Sequence, residues 1–193
     1  MTVKPARFPT QRLAVAEPKL TDKQEALLKT EAQVLQQAKI TESDRALWQG
    51  PFQPPVAAPI STVFGTIRYF NGRYDGYHRG VDFRVGGGAN VGAAQAGRVL
   101  LARYLSPFNP NGNVVYVDHG QGIVSAYLHL SRILVKEGQP VKAGQAVGLV
   151  GSSGRSTGPH LHWSVFIHGI SVDGLQWVAL SRSLAPPSAV SGL

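Results

Sequence analysis

His78-Arg79-Gly80-Val81-Asp82 sets an imidazole and a carboxylate four residues apart, and His160-Leu161-His162 sets two imidazoles two apart. The chain has no cysteine, so a metal site must be built from His, Asp, Glu or water. A neutral imidazole offers a nitrogen lone pair to zinc, and a carboxylate adds an anionic oxygen at about 2.0 to 2.2 Å. Two histidines and one carboxylate leave a fourth tetrahedral position for water, as in catalytic zinc sites. A lone histidine is usually a hydrogen-bonded core residue, but four of the six here sit in compact motifs. His119 and His168 fall at expected turns and receive no role.

Activating a water needs a base, which is a glutamate in helix-based zinc peptidases. The glutamates here are at 17, 25, 31, 42 and 137, none of them near a histidine motif in sequence. The base is therefore expected to be a histidine. His160 shares a strand face with His162, and His129 stands in Tyr127-Leu128-His129-Leu130. Spacing alone does not choose which of these three binds metal. Tyr74 and Tyr77 precede the first motif and are candidate donors to a tetrahedral oxyanion, or else packing residues.

The elements that position these groups read as β-structure. Short β-branched or aromatic runs cover 63–69, 80–85, 97–104, 113–118, 123–130, 146–150 and 160–167, separated by Gly, Pro, Asn or Asp. On a strand, His78, Gly80 and Asp82 share one face, with Gly80 leaving the space between them empty. Asp118 to Gly122 and His168-Gly169 carry hairpin signals, so the sheet is expected to be mainly antiparallel. Residues 1–20 read as an extended or disordered arm. Residues 21–50 read as a helical segment: a start signal at Asp22 and Glu25 opens a helix of about 17 residues, and Thr41 with Asp44 opens a short second one. The Pro-rich stretch 51–59 marks the boundary of a β domain over 51–177, and 178–193 reads as a loose tail.

His-x-Gly-x-Asp at 78–82, Tyr-x-His-Leu at 127–130 and Gly-Pro-His-Leu-His-Trp at 158–163 resemble, in order and spacing, the lysostaphin and LytM-type zinc endopeptidases. Phe64-Gly65, Gly112-Asn113-x-Val115, Asp118-His119-Gly120 and Val141-x-Ala143-Gly144-Gln145 with Gly151-Ser152-Ser153-Gly154 resemble them too, over roughly 51 to 175. The resemblance implies a compact two-sheet sandwich with a metal at the floor of a groove; the hairpin signals make it antiparallel, and the start signals place one or two N-terminal helices ahead of it. It implies one zinc ion held by His78, Asp82 and His162, with His129 and His160 as the unliganded pair acting on water and the transition state. The implied reaction is hydrolysis of amide bonds in peptidoglycan stem peptides or cross-links. Arg79 stands where smaller residues are common, and Gly174 where proline often stands.

Lys and Arg outnumber Asp and Glu by 19 to 11, a formal charge of +8, which favours anionic partners and suits anionic cell-wall polymers. The aromatics are few and not interleaved with basic residues, which argues against nucleic acid. A catalytically weak cell-wall-binding module using the same groove is the alternative class. Val135 to Gln145 looks like the turns of biotinyl and lipoyl carrier domains, but no modifiable lysine sits in a suitable hairpin, so the likeness is architectural. No run approaches ~18 apolar residues, so no transmembrane segment is expected. An extracytoplasmic location is expected, with any leader removed ahead of residue 1. Whether residues 1–50 act as a lid or a scaffold stays open.

Overall fold

The computed structural model describes residues 7–15, 19–40 and 43–184. The elements in chain order are β1 (Thr10–Leu13), α1 (Asp22–Gln37), β2 (Ile60–Thr62), β3 (Ile67–Phe70), β4 (Arg73–Tyr77), β5 (Val81–Phe83), β6 (Asn90–Gly92) and β7 (Gly97–Arg103). There follow β8 (Asn113–Gly120), β9 (Ile123–Ile133), β10 (Pro140–Val141), β11 (Ala146–Val150), β12 (Leu161–Ile167), β13 (Ile170–Val172) and α2 (Gly174–Leu184). The main sheet runs β10-β7-β8-β9-β12-β5-β2, with β11 joined to β9 and β6, and β13 to β12. The second sheet is β1-β3-β4. Every pairing is antiparallel except β1 with β3, so the expected mainly β, two-sheet architecture is what forms.

The central strands are buried on both faces, so they read as near-continuous apolar runs. Odd-numbered Val115, Val117, Tyr127, Trp163 and Val165 face one core with Phe52, Val81 and Trp177. Even-numbered Val114, Tyr116, Val124, Ala126, Leu128 and Phe166 face the other, where Leu35 and Ala38 from the end of α1 cover them. Alternation along β12 therefore puts Leu161, Trp163 and Val165 into the first core and His162, Ser164 and Phe166 on the opposite face. The site and α1 share that second face.

Thr21 caps α1, accepting from the Gln24 N–H while the Gln24 side chain reaches back to the Thr21 N–H. The capping pair is thus Thr21 and Gln24, not Asp22 and Glu25. Only the C-terminal half of the helix docks: Leu35 is buried while Leu27 stays exposed. Glu31 fastens it to the loop before β8, accepting from the Ser106 N–H, the Ser106 hydroxyl and the Asn109 amide at 2.7, 2.9 and 2.9 Å.

Three expectations are corrected. No second helix forms over 43–50, because the backbone there is committed to the β8–β9 hairpin: Leu47 N–H donates to His119 O and Gln121 N–H to Ser43 O. The tail expected to be loose from residue 178 is helical as far as Leu184, and 185–193 lie outside the described residues. Asp173 caps that helix, accepting from the Leu175 N–H, and Trp177, Val178 and Ser181 are buried. Gly174 fits because a Cβ there would meet the Trp163 ring at 2.6 Å. Within the arm, Thr10–Leu13 is an ordered strand whose end is held where Asn71 exchanges two hydrogen bonds of 3.0 Å with Val15.

Candidate metal centre

The β5–β12 register sets Asp82 directly across from His162. β5 begins only at Val81, so His78 lies ahead of the strand rather than on it, in the link from β4. Gly80 does leave a space, and the His162–Ser164 contact fills it: a Cβ on Gly80 would lie 2.6 Å from His162 Nε2 and 2.7 Å from Ser164 Oγ. Any side chain at 80 would push the histidine out.

His78 Nε2, Asp82 Oδ1 and His162 Nδ1 form a nearly equilateral triangle with edges of 2.9, 2.8 and 2.9 Å. His78 Nδ1 donates to the Val63 carbonyl at 3.0 Å, which fixes its proton there and leaves Nε2 as a lone pair. His162 Nε2 lies 2.8 Å from the Ser164 hydroxyl, which can accept its proton and leave Nδ1 likewise bare. Burial holds His162 below its ordinary value, favouring the neutral ring. Burial alone would raise the Asp82 carboxyl, but hydrogen bonds and charge from His162 and His78 outweigh it and keep Asp82 ionised. Two imidazole lone pairs and a carboxylate oxygen converging within 3 Å repel one another unless a cation joins them. The donor set therefore fits one metal ion.

The second oxygen of Asp82 is not idle. Arg68 Nη2, from β3 in the small sheet, donates to Oδ2 at 3.0 Å, leaving Oδ1 to the triangle. Nothing in the sequence announces this partner, which sits fourteen residues away in a different sheet.

His129 and His160 stand beside the triangle, with ring centroids 4.7 Å apart and His129 6.1 Å from His162. His129 has φ +61°, a left-handed conformation uncommon outside glycine. That kink breaks the alternation of β9: Leu128 faces the α1 side and Leu130 the opposite core, which lets the His129 ring reach the groove. His129 Nδ1 donates to the Ser153 carbonyl at 2.8 Å, and His160 Nδ1 to the Gly158 carbonyl at 2.9 Å. Each ring thus keeps Nε2 as its lone-pair nitrogen. Burial, followed by the neighbouring His162 and His160, pushes His129 down to about 3, so it is neutral near pH 7. The His129 N–H donates to Asn111 O, and Asn111 in turn is held by Asn109, the residue bound to Glu31.

These groups line one groove with Tyr77, Ser164 and Phe166, bounded by Gln11 and Leu13 of the arm and by Lys39 after α1. Tyr74 is not part of its lining and packs against Tyr69 at 5.8 Å. Among the described residues no glutamate lines it: Glu137 pairs with Arg103 on the surface and Glu31 is spent on the 106–109 loop. His119 is buried away from the groove in a satisfied chain. It donates from Nδ1 to Ala96 O and accepts from Ser125, which accepts from Tyr127.

A family model described as Peptidase family M23 matches residues 76–174, which contain all five site residues. The chain belongs to peptidase family M23. The family resemblance read from the motifs is borne out. This M23 chain is 42% identical over 99 residues to the peptidoglycan DD-endopeptidase ShyA of Vibrio cholerae, covering 51% of the chain and 22% of that protein. It thus spans about a fifth of that relative's length. A zinc-containing peptidase from Vibrio cholerae superposes with a TM-score of 0.58 at 36% identity, covering 68% of the chain and 40% of that structure. The catalytic domain of the antimicrobial peptidase lysostaphin from Staphylococcus simulans gives 0.55 at 33% identity, covering 63% and 92%. The triangle is a donor set that could hold one metal ion, and the Vibrio neighbour is described as zinc-containing.

Proposed function

We propose that the chain is a zinc-dependent endopeptidase that hydrolyses amide bonds in the stem peptides or cross-links of bacterial peptidoglycan. The observation that carries this reading is the triangle of His78, Asp82 and His162 at one groove with His129 and His160 beside it. A zinc ion held there supplies a Lewis acid that polarises a carbonyl oxygen and lets water act as a nucleophile near neutral pH. His129 and His160, their Nδ1 protons fixed on backbone carbonyls, present Nε2 to the groove. One accepts the proton of the attacking water and returns it to the leaving amine, and the other accepts from the same water and orients it for attack. Tyr77, on the groove wall, is the tyrosine in position to add a donor.

The work falls to histidine because no glutamate reaches the groove among the described residues. Such a substrate places the chain outside the cytoplasm, and the +8 charge suits a wall carrying anionic polymers.

Zinc-loaded protein is incubated with purified peptidoglycan, with and without chelator, and the products are read by mass spectrometry. Chelator-sensitive release of peptides cut at an amide bond is expected. His160→Ala is expected to keep one zinc per chain and lose cleavage. Wall binding without hydrolysis by the zinc-loaded protein would replace the enzyme reading with that of a binding module, and loss of zinc from His160→Ala would remove the role given to His160.

A further inference from the structure

The groove carries more positive charge than its own residues neutralise. Its lining holds Lys39, Arg68, Arg79, Arg84 and Arg155 against Asp75 and Asp82. Both carboxylates are committed, Asp82 to Arg68 and the two histidines, and Asp75 to Arg155 at 3.4 Å. Among the described residues, no carboxylate pairs with Lys39, Arg79 or Arg84.

Lys39 and Arg79 are the informative pair. Lys39 follows α1, and its ammonium lies 5.3 Å from the centre of the Phe166 ring and 3.3 Å from the Gln36 side chain, so its position is set. Burial holds it below the ordinary lysine value, the charge of Arg79 lowers it further, and both side chains line the same groove. Arg79 directly follows His78 of the metal triangle and lies over the Tyr77 ring at 5.6 Å. Two like charges lining one groove without a carboxylate partner cost free energy that an anion entering the groove recovers. A compact ammonium and a forked guanidinium lining the same groove suit the oxygens of a carboxylate.

We propose that Lys39 and Arg79 form a carboxylate subsite, which takes an acidic group on the same peptide whose amide bond is cut at His78, Asp82 and His162. The inference rests on the reading of the groove as a peptidase site and adds the substrate class: an acidic peptide. It also gives α1 a task, because the helix delivers Lys39 to the groove.

The test uses the zinc-loaded chain and cross-linked muropeptide dimers in two forms, one with free stem-peptide carboxylates and one with those groups chemically amidated. The wild type is expected to favour the free acid by about tenfold in kcat/KM, expressed in KM, as for one charge-assisted contact. Lys39→Gln and Arg79→Gln are each expected to bring that ratio towards one, whereas Arg132→Gln, on an exposed position outside the groove, leaves it unchanged. Equal rates on both dimers in the wild type, or a ratio untouched by the two groove variants, would overturn the subsite while leaving the peptidase reading intact. If neither dimer is cut, the peptidase reading fails, and calorimetric binding of the two dimers decides the subsite: equal affinity overturns it. Competition by polyphosphate without discrimination between the dimers would assign the charge to a phosphate polymer and overturn the peptide carboxylate.

Discussion

Arg68→Lys isolates what the guanidinium contributes to the metal centre. Removing the charge altogether would confound two effects, because the cation both orients Asp82 and repels a dication nearby. Lysine keeps the charge and so keeps the repulsion, but it is shorter and lacks the fork that reaches Asp82 Oδ2 at 3.0 Å. The bond is charge-assisted and sheltered, with the Asp82 side chain only 7% exposed, so it is not discounted as a surface pair. Loss of a hydrogen-bond partner behind a metal ligand typically weakens metal binding by about 10- to 100-fold. Because lysine can still approach, the lower end applies, a tenfold rise in the zinc Kd or about 1.4 kcal/mol. Competition against a chromophoric zinc chelator measures it, with the circular dichroism of the zinc-free variant checked to exclude misfolding. A Kd within twofold of the wild type would refute the reasoning, since Asp82 would then be held in place without its outer partner.

The left-handed conformation of His129 predicts an inversion of the usual order: in zinc-free protein, His129→Gly should be more stable than His129→Ala by about 1 kcal/mol, although glycine normally weakens a strand. Denaturant unfolding of the two variants decides this, and an alanine variant at least as stable as the glycine one would show that the backbone there is not strained. His119 makes stability pH-dependent. Burial lowers it from 6.5 to about 4 in the folded state, so the unfolded chain binds the proton more tightly. The associated stability, about 3 kcal/mol, is complete above pH 6.5 and is lost as pH falls towards 4. The difference between zinc-free wild type and His119→Gln unfolded across that range isolates this contribution, and parallel curves would contradict it.

The face logic of the second motif was readable because β12 alternates strictly: Leu161 and Trp163 go to the core, and His160 and His162 share the other side. The same logic fails at His78, where the strand starts three residues later, and at His129, where a left-handed residue interrupts the alternation. Neither departure leaves a mark in residue types, since the pattern Tyr-Leu-His-Leu suits a regular strand equally well. Some overlooked elements did carry signals. Asn71-Gly72 is a strong hairpin turn and joins β3 to β4, and Asp173 is a helix cap ahead of Trp177 and Val178. Arg68 and Lys39 were not recoverable, because each acquires its role from a tertiary neighbour far along the chain. The helix expected after Thr41 shows the reverse, a local start signal overridden by pairing to the β8–β9 hairpin.

Glu31 spends its whole carboxylate on Ser106 and Asn109, and Asn109 holds Asn111, whose carbonyl receives the His129 N–H. The helix, the loop and the kinked strand are consequently one inheritable unit. A graft that moved the β domain onto another scaffold without α1, or exchanged the 104–112 loop alone, would leave an unanchored asparagine or an unanswered carboxylate two steps from His129. Recombination between relatives of this protein should therefore tolerate crossover points inside the Pro-rich 51–59 stretch only when both parents carry a matching pair at positions 31 and 109.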